Sequence, residues 1–245
     1  MAFTDLTEPT SHLTAPKKPS EFTNPLKPIN DAGDLISPTY WVNEILSIAL
    51  GFNPKEKAQE YFAGDWEEYS KCSEAWGNLA QLCSDVSKNI TSGNKLLDTT
   101  WDGNAADAAY VYFKDVADKC NELHSELDAL KNEYFVIAEG VWSTAELVGT
   151  ALSTIGDLAA TAAISAAAGS LLSWTGWGMA VGYGVAATQI LQIIEKWGEI
   201  TKTINDFQLI FHTGMATLGT TAGGIATKFA DFPLPKDPYN NPVVA

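Results

Sequence analysis

The 245-residue sequence predicts an all-α protein, an elongated bundle in which a long antiparallel helical hairpin is joined to a C-terminal hairpin of small residues. Three observations carry this. Two runs hold apolar residues at alternating three- and four-residue spacings: Tyr69, Cys72, Trp76, Leu79, Cys83, Val86, Ile90, Gly93 and Leu97, then Ala109, Phe113, Val116, Cys120, Leu123, Leu127, Leu130, Tyr134, Ile137 and Val141. A 3.5-residue period keeps one seam of each helix facing a partner over many turns. Second, only Asp98-Thr99-Thr100-Trp101-Asp102-Gly103-Asn104 separates the runs, and a short loop between long amphipathic helices makes them antiparallel neighbours. Third, a further heptad run at Ala186, Ile190, Ile193, Trp197, Ile200, Ile204, Phe207 and Phe211 follows a charge-free stretch, with a shorter run at Met215, Leu218, Ala222, Ile225 and Phe229.

Residues 1–36 hold Pro9, Pro16, Pro19, Pro25 and Pro28 among Thr and Ser without sustained periodicity, and read as a flexible arm. Ser37-Pro38 places Pro at a first helical position, and the apolar run from Tyr40 to Leu50 ends at Gly51. Asn53-Pro54-Lys55-Glu56 starts the next helix, with Asn53 as cap and Glu56 placed to close a capping box. Asp65-Trp66-Glu67-Glu68 repeats that chemistry after Gly64, so a bend near Gly64 and a helix from about 65 to 98 are expected, ~50 Å at 1.5 Å per residue. Thr100 or Asp102 supplies a cap for the next helix, and Gly103 takes the positive φ of a tight reversal. The second arm is expected from about 104 to 155, the division between domains falling at 155/156. Its stripe continues through Ala145, Val148, Leu152 and Ile155, overshooting its partner, so residues 156–231 are expected to pack as an Ala/Gly-rich helical hairpin on that end. The Pro-containing residues 232–245 read as a flexible tail.

With the leading helix, residues 37–155 resemble the WXG superfamily of ESAT-like helical-hairpin proteins exported by type VII (ESX-like) secretion systems, above all its long actinobacterial members. The residues that carry the resemblance are Gly64-Asp65-Trp66-Glu67 and, about one helix length later, Thr99-Thr100-Trp101-Asp102-Gly103-Asn104-Ala105-Ala106-Asp107-Ala108-Ala109. The resemblance implies a protein exported folded, secreted or at the cell surface without a cleavable signal peptide, with Trp101 and Gly103 as the recognition turn. It implies as partners the secretion machinery and a dimer mate, either a second copy or another WXG-type protein. The family's Y-x-x-x-[DE] export signal is matched in spacing by Tyr40 to Glu44 and by Tyr61 to Asp65. Both matches precede the Trp101 turn, so they form a weak signal, and a composite Trp–Tyr signal within the chain is not expected.

Composition narrows the function classes. The chain has 15 Lys and no Arg against 30 acidic residues, for a net charge of −15. Arg is the side chain of bidentate phosphate and guanine recognition, so nucleic acid and phosphoryl chemistry are not expected. Residues 54–146 hold 18 acids against 8 Lys, read as a solvated outer face. The first residues lack the basic and apolar regions of a signal peptide. His12, His124 and His212 are scattered without neighbouring ligand-spaced groups, and no phosphate loop, zinc motif, nucleophile elbow or Cys-x-x-Cys occurs. No enzyme activity, catalytic residue, metal or cofactor is therefore expected. Carboxylate pairs such as Asp115 and Asp118 read as solvent-facing, and Cys120 with His124 as a seam thiol beside a helix-face histidine.

Antiparallel pairing about Asp102 places Cys83 opposite Cys120 on the inward stripes, as facing thiols or, after export, a disulfide, while Cys72 lies far along the pair. Residues 158–194 carry no charge and include Gly178 and Gly182 at GxxxG spacing. Membrane contact or pore formation is one reading and close helix packing in water the other. Length favours packing, because residues 158–173 would span ~24 Å against a hydrocarbon core of ~30 Å. A third reading makes the chain the delivery module of a polymorphic toxin without its toxin domain.

Overall fold

The computed structural model describes residues 5–17, 24–35, 40–64, 66–171 and 177–233, and among these every regular element is helical. After a 3-10 turn at Pro9–His12 come α1 (Leu26–Leu35), α2 (Tyr40–Leu50), α3 (Pro54–Tyr61), α4 (Trp66–Asp98), α5 (Asn104–Leu171) and α6 (Trp177–Ala230). The expected helix start at Ser37-Pro38, the cap residue Asp65 and the tail from 234 onward lie outside the described residues.

Local chemistry accounts for the helix ends. Asn53 Oδ1 accepts from the N–H groups of Lys55 and Glu56, at 3.0 and 3.4 Å, satisfying donors that the first turn of α3 leaves open. The expected capping box takes a variant form, because the Glu56 carboxylate accepts from the Asn53 side-chain amide. Between α3 and α4 the Trp66 indole N–H donates to the carbonyl of Phe62 at 3.1 Å, and the ring lies over Gly64 so closely that a Cβ there would sit 3.0 Å from it. That contact fixes the bend expected at Gly64.

The chain divides into two compact units. One comprises residues 1–17, 71–135 and 215–245, the other residues 18–70 and 136–214, so α4, α5 and α6 each contribute to both. The second unit holds the larger apolar core: Ile29 of α1, Val42, Ile45 and Leu46 of α2, Ala58 and Phe62, the α5 stripe Val141, Val148, Leu152 and Ile155, and Ile193, Ile200 and Ile204 of α6. Here the sequence stripes of α5 and α6 are the buried faces. Gly149 lets α1 reach the α5 backbone, since a Cβ there would lie 2.7 Å from the Pro28 carbonyl oxygen. Gly182 does the same between α5 and α6: its Cβ would meet Gly169 Cα at 2.5 Å and Ser165 O at 2.7 Å. Ala159, Ala162 and Ala163 are buried nearby.

In the first unit α4 and α5 run antiparallel, joined by four hydrogen bonds seven residues apart on each helix. Ser73 Oγ donates to the Lys131 carbonyl at 2.8 Å, Ser87 Oγ to the Ala117 carbonyl at 2.7 Å and Asn94 Nδ2 to the Tyr110 carbonyl at 2.9 Å. The fourth runs the other way, from His124 Nδ1 to the Ala80 carbonyl at 2.9 Å. A carbonyl only accepts, so this bond puts the imidazole proton on Nδ1.

Several expectations are corrected. Residues 1–36 are not without regular structure: α1 forms there, with Ile29 fully buried. An amphipathic stretch finds an apolar seat against the second unit's core, which overrides its proline content. There is no domain break at 155/156, because α5 continues to Leu171 through an alanine-rich run with strong helix propensity. The two C-terminal runs lie on one helix, α6, with Gly214 inside it packed against Ile137. On α4 the apolar stripe is buried only in part: Gly93 is buried and Tyr69, Cys72, Trp76, Cys83, Val86 and Ile90 are partly buried. Leu79 and Leu97 are exposed, while Ser70, Ser73, Asp85, Asn89 and Asn94 are buried.

Candidate recognition turn and interhelical ladder

The α4–α5 reversal presents the candidate site. Thr99 and Thr100 hydroxyls donate to the carbonyls of Leu96 and Leu97, so they finish α4 rather than cap α5. The Trp101 N–H donates to the Leu97 carbonyl at 2.9 Å, which anchors the main chain at the turn. Gly103 follows with φ of 101° and open space around its missing Cβ, a backbone state that side-chain-bearing residues adopt only with strain. Its carbonyl then accepts the N–H of Asp107, opening α5.

Trp101 is thus held by its backbone while its side chain stays 44% exposed. The indole edges a shallow cleft with Asn94, Leu97, Asp98, Ala106, Ala109 and Tyr110. Leu96 and Leu97 are exposed as well, so Trp101 has exposed apolar neighbours at the end of α4. The Asn94 to Tyr110 bond ties the two helices directly below it. An exposed, positioned aromatic with apolar neighbours is suited to contacting another protein.

The first unit also binds residues 5–17 along α4. Asn89 Oδ1 accepts from the N–H groups of Leu6 and Thr7, and its amide donates to the Thr7 carbonyl at 2.8 Å. His12 Nε2 donates to Asp85 Oδ2 at 3.0 Å, Asn78 meets Thr14 and Glu74 accepts from the Lys17 N–H. His12 therefore has a carboxylate partner distant in sequence. Hydrogen bonds from Lys88 and His12 hold the Asp85 carboxyl below the ordinary carboxylate range. At the other edge Lys228 of α6 donates to Glu122 Oε2 at 2.7 Å and Lys119 joins it, which lowers the Glu122 pKa and raises that of Lys228.

The remaining sequence candidates are dispersed. Tyr61 ends α3 in the second unit, 42% exposed, with Lys57 Nζ 5.8 Å from its ring centre, and its counterpart Asp65 lies outside the described residues. Tyr40 opens α2, where Glu44 is exposed. Cys83 is a partly buried free thiol and Cys120 a buried one, and burial raises the pKa of both. Asp118 is exposed and paired with Lys114. No group of three or more His, Cys, Asp or Glu that would hold a metal ion occurs among the described residues. One stretch of α5 is long and apolar enough to cross a membrane, with 44% of it buried within the protein.

Sequence reasoning missed the ladder and the α4 track that holds residues 5–17. A signal for the first exists, since Ser73, Ala80, Ser87 and Asn94 recur every seven residues, but they are small or polar and escape a search for apolar stripes. The track had none, because Asn89 and Asp85 look like solvent-facing residues. No family model, curated protein or solved structure matches the chain.

Proposed function

We propose that the protein is a non-enzymatic substrate of a type VII-like secretion system, acting through helix-mediated contacts with the export machinery and partner helices. The observation that supports this most is Trp101: a half-exposed aromatic at the tip of two paired helices, anchored through its N–H and followed by a glycine with positive φ. Loop residues held on a rigid scaffold and left exposed serve recognition more readily than packing. In this reading the α4–α5 pair is a WXG-type helical hairpin, and Trp101 and Gly103 form the turn read by the machinery. The protein is secreted or retained at the cell surface, as a homo-oligomer or paired with another WXG-type chain. The two Tyr–acid matches play no part with Trp101, and a partner chain supplies a complementary signal. Delivery of a toxin encoded separately or downstream is compatible with the same turn.

A second reading, membrane activity through residues 158–194, is favoured by the apolar stretch in α5 and by Ile164, which is 71% exposed. The burial of Ala159, Ala162 and Ala163 and the backbone contact at Gly182 support close helix packing instead. Leakage from liposomes, compared with a variant carrying charges at Val181 and Ala187, separates the two. The primary reading is tested by comparing culture supernatant with lysate in strains with and without the secretion ATPase. Protein in the supernatant only when the ATPase is present supports it. ATPase-independent release, or full retention, overturns it.

A further inference from the structure

We infer that Cys83 and Cys120 form an oxidisable pair, a site for a disulfide that staples α4 to α5 around the Trp101 turn. The ladder supplies the geometry. The rungs between Ala80 and His124 and between Ser87 and Ala117 flank the layer that holds both cysteines. The shift in residue number that carries Ala80 to Ala117 and Ser87 to His124 also carries Cys83 to Cys120. The two cysteines are therefore equivalent positions about a local two-fold axis, within one residue's rise of each other and on the same side of the helix pair.

Separation is the usual obstacle to a disulfide between packed helices, and the Ser87–Ala117 rung sets a limit on it. Serine Oγ and a carbonyl oxygen each lie two bonds from their Cα, so the 2.7 Å bond from Ser87 to Ala117 keeps those Cα atoms within roughly 7.5 Å. Side chains no larger than Ser87, Ala80 and Ala117 allow this approach, and Ala80 and Ala117 are almost fully buried. A disulfide needs Cα atoms about 4.4–6.8 Å apart, a distance that this close pairing brings within reach in the adjacent layer. Independently of the ladder, the Cys83 thiol is one of the groups acting on Cys120.

The chemistry is ordinary thiol–disulfide exchange with a small-molecule disulfide as oxidant. Cys83 is the less buried of the two and reacts first: its thiolate attacks one sulfur of the oxidant and expels the other as a thiolate. Cys120, buried beside it, then attacks Cys83 Sγ and expels the second oxidant thiolate. The two protons lost by the cysteines go to the expelled thiolates, so one protein disulfide forms as one small disulfide is reduced to two thiols. Burial raises both cysteine pKa values, so the thiols persist at neutral pH under reducing conditions and exchange accelerates in alkali. The staple would close a loop from residue 83 to residue 120 that contains the turn. This inference is independent of the export reading.

The test oxidises the folded Cys72→Ser protein with glutathione disulfide at mildly alkaline pH, followed by intact mass, non-reducing electrophoresis and peptide mapping. The expected product is a monomer lighter by two hydrogens, with one Cys83–Cys120 linked peptide and a melting temperature raised by several degrees relative to the reduced form. Cys83→Ser in the same background should yield no linked peptide. A persistent glutathione adduct on Cys83, disulfide-linked dimers, or no reaction in protein that oxidises once denatured would each overturn the inference.

Discussion

Ser87 reaches across from α4 to hydrogen-bond the main-chain carbonyl of Ala117 on α5, a contact of 2.7 Å that a side chain as short as serine makes only where the two backbones approach closely. Three equivalent bonds at heptad intervals make this a ladder, so the pairing of α4 with α5 depends on close backbone approach as well as on the leucines of α5.

Removing one rung donor should cost on the order of 1 kcal/mol, the net worth of an intramolecular hydrogen bond. Ser87→Ala and Asn94→Ala are expected to fall near that value in denaturant unfolding. Ser87→Leu should cost more, about 1–3 kcal/mol, because it must push α5 away. Equal stability of Ser87→Leu and Ser87→Ala would show that close approach is not what the small residue supplies.

The all-α character and the helix ends at Asn53, Gly64 and Asp98 are legible in the sequence, because caps, glycines and periodicity act locally. The α5 and α6 stripes that build the second core are legible as well, since Val141, Leu152, Ile193 and Ile200 bury on the side their period predicts. The buried face of α4 is legible only in part. Its partners are carbonyl groups and an extended N-terminal segment, and Asn89 and Asp85 are buried by hydrogen bonds that no apolar pattern announces. The turn at Trp101 is legible as a turn, whereas its exposed apolar neighbours depend on where α4 and α5 happen to end.

Leu127→Ala should destabilise by about 2–5 kcal/mol and Leu79→Ala by well under half as much, since a core deletion leaves a cavity and a surface one does not. Leu127 is 5% exposed and Leu79 36%. Comparable losses in thermal unfolding would mean that Leu79 lies in a buried seam of α4 after all.

The glycines of the long helices should divide by sign. Gly182→Ala and Gly149→Ala place a Cβ within 2.7 Å of facing backbone and are expected to be strongly destabilising. At Gly219 and Gly223 nothing lies within 4 Å, so alanine there should stabilise the helix by about 0.5–1 kcal/mol each. Loss of stability at Gly219 or Gly223 in an isolated monomer would contradict the described packing of α6.

Glu122 has its pKa lowered chiefly by Lys228 and then by Lys119. A carboxylate depressed on folding contributes stability above its unfolded pKa, about 4.3, and loses it as pH falls toward the folded value. The melting temperature of Glu122→Gln should therefore lie below that of the parent near neutral pH, and the gap should close in acid below about pH 4. A gap that stays constant or widens in acid would assign the effect to something other than this ion pair.

Export of a Trp101→Ala variant tests the central claim most directly. The side chain is 44% exposed and the turn is anchored by backbone groups that the substitution leaves in place, so helicity and cooperative unfolding should be retained. In a strain with an active secretion ATPase, the account predicts that the variant accumulates in the cell lysate and is absent from the culture supernatant, while the parent is secreted. A folded Trp101→Ala protein that reaches the supernatant at the parental level would contradict it.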